Sequence, residues 1–321
     1  LADQNIDIDD SSEKGMLWAE QNAIQKHIIS CVSMSCIDLN RIQKRKFKVV
    51  IDAVNGAGSN ALPPLLESLG CEVFELYCEP NGDFVRGTEP LPEHLKNLGE
   101  EVIKYGADVG FAVDPDADRL AIVNEMGEPL GEEYTLVVAA DGYLRDTGRE
   151  EKFVINLSTS LALEKLAESN SSSVIRSAVG EINVVNKMIE INSKLGGEGN
   201  GGVILRECHL GRDSMVAATM VLNRMSISES LISEIHASLP QFEIVKDKID
   251  IEGIDIEDVI GRVSLLFEGA AIDKIDGIKF TWDDRWVHLR KSNTEPIMRI
   301  YAEAPDQDQA LKLVNKIKSI L

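Results

Sequence analysis

The sequence predicts an α/β protein: two α/β domains of repeated layout, followed by a smaller α+β domain. Three observations predict it. The chain has 321 residues, and at roughly 100–150 residues per domain two or three domains are expected. Short apolar runs such as KVVIDA and ADVGFAV alternate with helical patterns, the rhythm of βαβ units. Finally, FKVVIDAVNGAGSNALPPLLESLGCEV and EKFVINLSTSLALEKLAESNSSSVIRS share one layout. Each has a Lys, three apolar positions, an Asp or Asn, a small-residue turn and a Leu-rich helix, which suggests a repeated unit.

Taken in order, residues 16–38 carry apolar residues on one helical face and predict a helix. KVVIDA predicts a strand, and a glycine-bearing turn, a helical segment and a second apolar run complete the βαβ unit. The turn-rich CEPNGDFVRGTEPLPEHL leads into a helix, LKNLGEEVIKYG. Two strands, ADVGFAV and LAIVNE, flank DPDADR. EEYTLVVAADGYLRDTG predicts a helix and opens the second unit. After LPQFEIVKDKIDI the rhythm changes: EDVIGRVSLLFE as helix, AAIDKIDGIKFTWDDRWVHLR as paired strands, IMRIYAEA as strand, DQDQALKLVNKIKSIL as helix. Domains are expected over 15–131, 132–241 and 242–321.

The net charge is −21, from 54 acidic and 33 basic residues, which argues against nucleic acid as a partner because phosphate contacts need clustered Lys and Arg. A small phosphorylated ligand needs only a local cationic pocket. The five cysteines form no CxxC pair and no spaced His/Cys set, which fits a reducing cytoplasm. No apolar run approaches the roughly 18 residues of a membrane helix, so no membrane partner is expected. LADQNIDIDDSSEKG is not a signal peptide. It carries no initiator Met, and the chain is expected to begin partway through a longer protein.

DPDADR places Asp114, Asp116 and Asp118 at alternate positions with Arg119 behind them. Carboxylates this close repel unless a cation is shared. In a strand–loop–strand setting the pattern points to Mg²⁺, a hard ion that takes oxygen ligands and completes its shell with phosphate or water. Arg119 could then hold a phosphate oxygen. Asp114, Asp116, Asp118 and Glu125 also fall at positions 1, 3, 5 and 12 of a calcium-binding EF-hand loop. However, Arg119 stands where that loop needs Gly, and strands rather than helices flank it, so calcium ranks below magnesium.

GGEGNGGVI, 196–204, surrounds Glu198 and Asn200 with glycines. It reads either as a flexible hairpin or as a loop whose carboxylate and amide bind sugar hydroxyls, and HLGRD directly downstream favours the second. RKSNTEP, 290–296, gathers Arg290, Ser292, Asn293 and Thr294 in one turn. These are donors suited to a phosphate dianion, although an ordinary polar turn fits equally. NGAGSN, 55–60, reads as a packing turn, being neither a GxGxxG nor a P-loop sequence. His27, His94, His236 and His288 show no ligand spacing and are expected at the surface or in the core.

Together and in this order, DPDADR, GGEGNGG and RKSNTEP resemble the metal, sugar-recognition and phosphate loops of the α-D-phosphohexomutases: phosphoglucomutase, phosphomannomutase and phosphoglucosamine mutase. FVRGTEP and AVGEINV have counterparts there too, and GGEGNGG followed by HLGRD is more like the archaeal-type branch. The resemblance spans nearly the whole chain. It implies mixed sheets in the two α/β domains and a TATA-box-binding-protein-like last domain. It also implies Mg²⁺ on Asp114, Asp116 and Asp118, with Arg119 at the phosphorylated centre. Glu198, Asn200, Gly180, His209 and Arg212 would bind sugar, and Arg290, Ser292, Asn293 and Thr294 the phosphate not being transferred. Lys291 stands where many members have Pro.

The implied reaction interconverts hexose 1- and 6-phosphates through a hexose 1,6-bisphosphate, which also acts as activator, in a cytoplasmic enzyme whose partner is a small phosphosugar. The family's phosphoserine lies in an N-terminal domain within a string like TASHNP, which occurs nowhere in this sequence. The chain is therefore expected to hold the second, third and fourth domains, with 1–14 as the linker region after a missing first, and to be inactive alone. A naturally short, non-catalytic phosphosugar-binding or regulatory module is the alternative. Which hexose phosphate is preferred and the oligomeric state stay open at this level.

Overall fold

The computed structural model describes residues 19–251, 256–292 and 296–320. The first unit runs α1 (Ala23–Val32), α2 (Leu39–Arg45), β1 (Lys48–Asp52), α3 (Leu62–Ser68), β2 (Glu72–Leu76), α4 (Lys96–Tyr105), β3 (Val109–Val113) and β4 (Leu120–Val123). Its sheet has the order β2-β1-β3-β4. The first two pairings are parallel and β3–β4 is antiparallel.

The second unit repeats this plan. It comprises α5 (Tyr134–Thr147), β5 (Lys152–Asn156), α6 (Leu161–Ser169), β6 (Ser173–Ser177), α7 (Glu181–Ile191), β7 (Leu195–Glu198), β8 (Gly202–Leu205), α8 (Ser214–Ile227) and α9 (Ile232–Ser238). The order β6-β5-β7-β8 again ends in an antiparallel pair. These are the mixed sheets the resemblance implied.

The third unit comprises β9 (Glu243–Asp250), α10 (Ile256–Leu266), β10 (Ala271–Asp273), β11 (Ile278–Thr281), β12 (Trp286–Lys291), β13 (Ile297–Ala304) and α11 (Gln307–Lys318). Its sheet, β10-β11-β12-β13-β9, is antiparallel throughout. LPQFEIVKDKIDI, which gave no element in the sequence, supplies edge strand β9.

The helix expected over 16–38 is shorter. Residues 16–18 lie outside the described residues, and α1 ends at Val32, where Ser33–Ile37 turn the chain. Asp38 then caps α2 by accepting the Arg41 N–H at 3.0 Å. The capping aspartate starts a new helix and so ends the old one's register.

One apolar core runs through the first two units, and α5 and α8 lie at its centre. Helix α8 is buried at every position from Ser214 to Ser226, as a helix apolar on nearly all sides must be. The charges inside it are paired: Arg224 donates to Asp141, both side chains about 5% exposed or less. The third unit has its own core around Phe280, Val287, Ile300 and Val314.

Buried polar contacts join the second and third units. Lys279 Nζ donates to the Leu157 carbonyl at 2.6 Å. Glu303 accepts the Leu161 N–H at 2.8 Å and the Trp286 indole N–H at 2.5 Å. These fix the third sheet against the loop after β5.

Candidate functional site

The loops that carry the candidate residues leave the carboxyl ends of strands, where open α/β sheets place ligands. DPDADR follows β3. A tight turn with Ala117 at φ 60° folds it back, the Ala117 N–H reaching the Asp114 carbonyl at 3.0 Å. NGAGSN packs on this loop: Ala57 N–H donates to the Pro115 carbonyl at 2.8 Å, and a Cβ on Gly56 would meet that oxygen at 2.4 Å. Only glycine allows that approach.

The second unit grips the same loop. The Ala117 carbonyl accepts the Ser214 hydroxyl at 2.7 Å and its N–H at 3.2 Å, at the start of α8. The hairpin between β7 and β8 reaches across too, where Leu120 N–H donates to the Gly201 carbonyl at 3.0 Å. Gly201 has φ 87°, and a Cβ there would stand 2.4 Å from the Leu120 carbonyl. The metal-type loop and the glycine-rich loop are thus one backbone-bonded assembly.

A cavity of about 480 Å³ opens above it. Arg119, Gly180, Glu198, Asn200, Arg212 and Arg290 all line it, so the fold brings together residues from five separate stretches of the sequence. Arg212 is the link: it donates to Asp118, to Glu198 Oε2 at 2.8 Å, and faces Glu181 at 3.3 Å. Glu198 is 4% exposed and also accepts from Asn156 Nδ2 at 2.7 Å and Gly180 N–H at 3.0 Å, both on Oε1. Oε2 therefore keeps one lone-pair site for a ligand hydroxyl. Asn200 Oδ1 is buried with no hydrogen-bond partner.

Asp114, Asp116 and Asp118 each offer an oxygen, and these oxygens lie within 4.8 Å of one another. Burial, and after it the neighbouring Asp118 and Asp116, push the Asp114 carboxyl up to about 7. Asp118 Oδ1 is buried without a hydrogen bond. An all-oxygen donor set, mutual repulsion and an orphaned acceptor fit a hard divalent cation such as Mg²⁺. Arg119 sits at the rim, 3.3 Å from Asp114 and 3.0 Å from Glu89. Glu125, the twelfth position of the EF-hand alternative, is turned away onto Ser233, which removes that reading.

Two expectations need correction. His209 does not line the cavity; its Nε2 lies 2.8 Å from Asp213 Oδ2, because Asp213, capping α8, holds it there. His288, expected as surface or plain core, does line the cavity. Its Nε2 lies 2.6 Å from the Asp276 carbonyl, which can only accept, so Nε2 carries the proton. Nδ1 then accepts the Ser158 hydroxyl at 3.0 Å. Ser292 is buried, with its N–H on the Ile297 carbonyl at 2.9 Å. Asn293 and Thr294 lie outside the described residues.

Sequence reasoning missed Lys246, Arg299 and Tyr301, which complete the third-unit wall. Lys246 is paired with Glu132 and, at 3.1 Å, with Glu133. Its signal was the alternation of EIVKDKID, a strand pattern that went unread and that does not by itself mark a wall of a site. Asp276 was missed as well. It accepts from Arg290 Nε at 3.0 Å through Oδ1 and from the Val179 N–H at 3.1 Å through Oδ2, joining the end of β12 to the loop before Gly180.

The interface has a defined pH response. Burial pushes His288 from 6.5 down to about 4. Its folded value lies below its unfolded one, so its contribution to stability is complete above 6.5 and is lost as pH falls toward 4. Burial pushes Glu303 the other way, from 4.5 up to about 7. Its contribution is complete below 4.5 and is lost as pH rises through 7. The two oppose each other in the wild type, so single variants separate them. In urea unfolding, the stability difference between wild type and His288→Gln is expected to shrink as pH drops through its window. The difference for Glu303→Gln is expected to shrink as pH rises through the other. Differences flat with pH would contradict the assignment.

Fold and cleft together define a three-unit α/β protein whose loops converge on a charged cavity of about 480 Å³. Family models place it: phosphoglucomutase/phosphomannomutase alpha/beta/alpha domain II matches residues 25–127, domain III residues 131–242, and the C-terminal domain residues 243–320. The chain belongs to the phosphoglucomutase/phosphomannomutase family. It is 39% identical to a phosphoglucomutase/phosphomannomutase of Thermococcus kodakarensis, over 85% of this chain and 60% of that protein. It is 28% identical to a probable phosphoglucosamine mutase of Methanopyrus kandleri, over 100% and 70% respectively. The chain therefore spans about 60 to 70% of the length of these relatives. A phosphoglucomutase/phosphomannomutase family protein of Burkholderia thailandensis shares the fold with a TM-score of 0.79 and 22% identity, covering 92% of this chain and 63% of that one. Among the described residues no helix is long and apolar enough to cross a membrane.

Proposed function

We propose that this chain supplies the metal, sugar and distal-phosphate parts of a cytoplasmic hexose-phosphate mutase, which interconverts hexose 1- and 6-phosphates through a hexose 1,6-bisphosphate. The observation that carries it is the single cavity lined by Arg119, Glu198, Arg212 and Arg290 beside the three-aspartate cluster. The substrate class is glucosamine, glucose or mannose phosphate, in keeping with the names of the relatives.

Asp114, Asp116 and Asp118 would hold Mg²⁺, which when bound neutralises charge on a phosphoryl group. The chain's own residues do the positioning. Arg119 faces the phosphoryl group being moved. Glu198 takes one sugar hydroxyl on its remaining Oε2 site, and Asn200 Oδ1 a second. Arg290, oriented by Asp276, grips the phosphate that is not transferred, together with its sequence neighbours Ser292, Asn293 and Thr294. A grip on either phosphate is what a bisphosphate needs if it is to turn over and present its other end.

No TASHNP-like string occurs among the 321 residues, and the proposal is that the phosphoryl-carrying serine is not one of them. The test is a calorimetric titration of glucose 1-phosphate, mannose 1-phosphate and glucosamine 1-phosphate, followed by a mutase assay with Mg²⁺ and glucose 1,6-bisphosphate. Binding of at least one sugar phosphate, lost in Glu198→Ala, with negligible turnover is expected. No binding of any would overturn the site; turnover at an ordinary enzyme rate would overturn the missing serine. Binding that stays without turnover after a serine-bearing first domain is joined on would favour the non-catalytic module.

A further inference from the structure

A second cluster of metal-type ligands includes Asp213, the residue that follows Arg212. His27 and Cys31 stand four residues apart on α1, so one helix face carries both. Cys208 and Asp213 come from the loop between β8 and α8. One ligand atom from each of the four lies within 4.8 Å of every other. We propose that His27, Cys31, Cys208 and Asp213 form a binding site for a thiophilic transition-metal ion of the Zn²⁺ class, separate from the oxygen-ligand site in DPDADR.

The geometry and the chemistry agree. His27 Nε2 lies 3.7 Å from Cys31 Sγ. Zn–S and Zn–N bonds of about 2.3 and 2.0–2.1 Å put ligand atoms of a tetrahedral site roughly 3.5 Å apart. His27 Nε2 and Asp213 Oδ2 are closer, at 2.5 Å, as hydrogen-bonded partners are. A metal taking the place of the shared proton would part them by less than about 1 Å. Two sulfurs, an imidazole and a carboxylate are a donor set that selects Zn²⁺ or Co²⁺ over Mg²⁺.

The supports are built in. Cys31 is fully buried, and Asp213 is 7% exposed. Asp213 Oδ1 caps α8 by accepting the Met215 and Val216 N–H groups at 2.7 and 3.2 Å, which fixes Oδ2 toward the cluster. His209 Nε2, 2.8 Å from Oδ2, adds an outer hydrogen bond of the kind that orients metal-bound carboxylates. The ion would tie α1 of the first unit to the loop of the second. Its ligand Asp213 adjoins Arg212, so it would also anchor the backbone that presents Arg212 to the cavity.

The test uses the purified chain in reducing buffer, stripped with chelator and titrated with Co²⁺. One equivalent is expected to bind with thiolate-to-cobalt absorption in the near ultraviolet, displaced by Zn²⁺ and not by excess Mg²⁺. Cys208→Ser is expected to weaken binding at least about tenfold, whereas Asp118→Asn leaves the cobalt spectrum unchanged. Circular dichroism establishes that each variant is folded, and the wild-type titration needs no variant. No thiolate absorption in the folded wild type would overturn the site. So would absorption that persists in the Cys31→Ser/Cys208→Ser double variant, or a Cys31–Cys208 disulfide found by mass in reduced protein.

Discussion

Arg212→Ala is expected to cost about 3 kcal/mol of unfolding free energy and to abolish sugar-phosphate binding. The guanidinium serves Asp118, Glu198 and Glu181 together, and its side chain is 13% exposed. Removing it leaves Glu198, 4% exposed, with a buried Oε2 facing no cation. Breaking one partner of a buried pair is costly because the other charge stays desolvated. It also removes the Arg212 side-chain link between the DPDADR loop and the glycine-rich hairpin, while the Leu120–Gly201 backbone contact stays. A double-mutant cycle with Glu198→Gln is the check: neutralising Glu198 removes most of the penalty, so the double variant is expected to regain stability relative to Arg212→Ala. A loss below about 1 kcal/mol, the range of surface pairs, would show that Arg212 is not the link.

Arg290→Ala is expected to weaken binding of glucose 1-phosphate about a hundredfold while leaving the fold intact. Hydrogen bonds to charged groups contribute roughly 1.5–3 kcal/mol each, and two of them amount to roughly 3 kcal/mol or more. Asp276 holds Arg290 through Nε at 3.0 Å, and a lysine has no counterpart to that fork. Arg290→Lys is accordingly expected to lose about tenfold even though it keeps the charge. Asp276→Asn should fall between wild type and Arg290→Lys. Calorimetric titration reads all three. An Arg290→Ala affinity within about threefold of wild type would remove Arg290 from the phosphate site and leave it with a structural role only.

Local patterns carried much of the architecture. KVVIDA and KFVIN read as strands because β-branched and apolar residues run without interruption, as strands buried on both faces require. The likeness of 47–73 to 151–177 announced the repeat that appears as two sheets of the same strand order. DPDADR could be read as a cation loop because three carboxylates in six residues conflict unless something positive is shared, and that conflict is a local property. The fully buried α8 gave no amphipathic stripe, and the sequence reading passed over it.

The members of the sites were legible only in part. Gly180, Glu198, Asn200, Arg212 and Arg290 were named from their motifs and do line the cavity. His209 shares HLGRD with Arg212, yet the two point to different places. The α8 cap at Asp213 turns the chain there, and a cap's direction is set by the helix it begins. His288 and Asp276 could not be assigned, since their roles come from packing the third sheet against the loop after β5. His27 and Cys31 were set aside as having no ligand spacing, because a single His and Cys four apart on a helix do not make a ligand set by themselves. Their partners Cys208 and Asp213 lie roughly 180 residues away, and nothing in the linear pattern pairs them.

The sequence by itself determined the elements, the repeat, and the chemical type of each loop, because propensity, periodicity and charge repulsion act over a few residues. Tertiary structure alone decided which loops face one another. That choice rests on contacts between distant segments: the Arg212 link, the Asp276 bridge, and the meeting of α1 with the loop before α8. Each depends on how two packed surfaces bring side chains within hydrogen-bond reach. No local pattern encodes that distance.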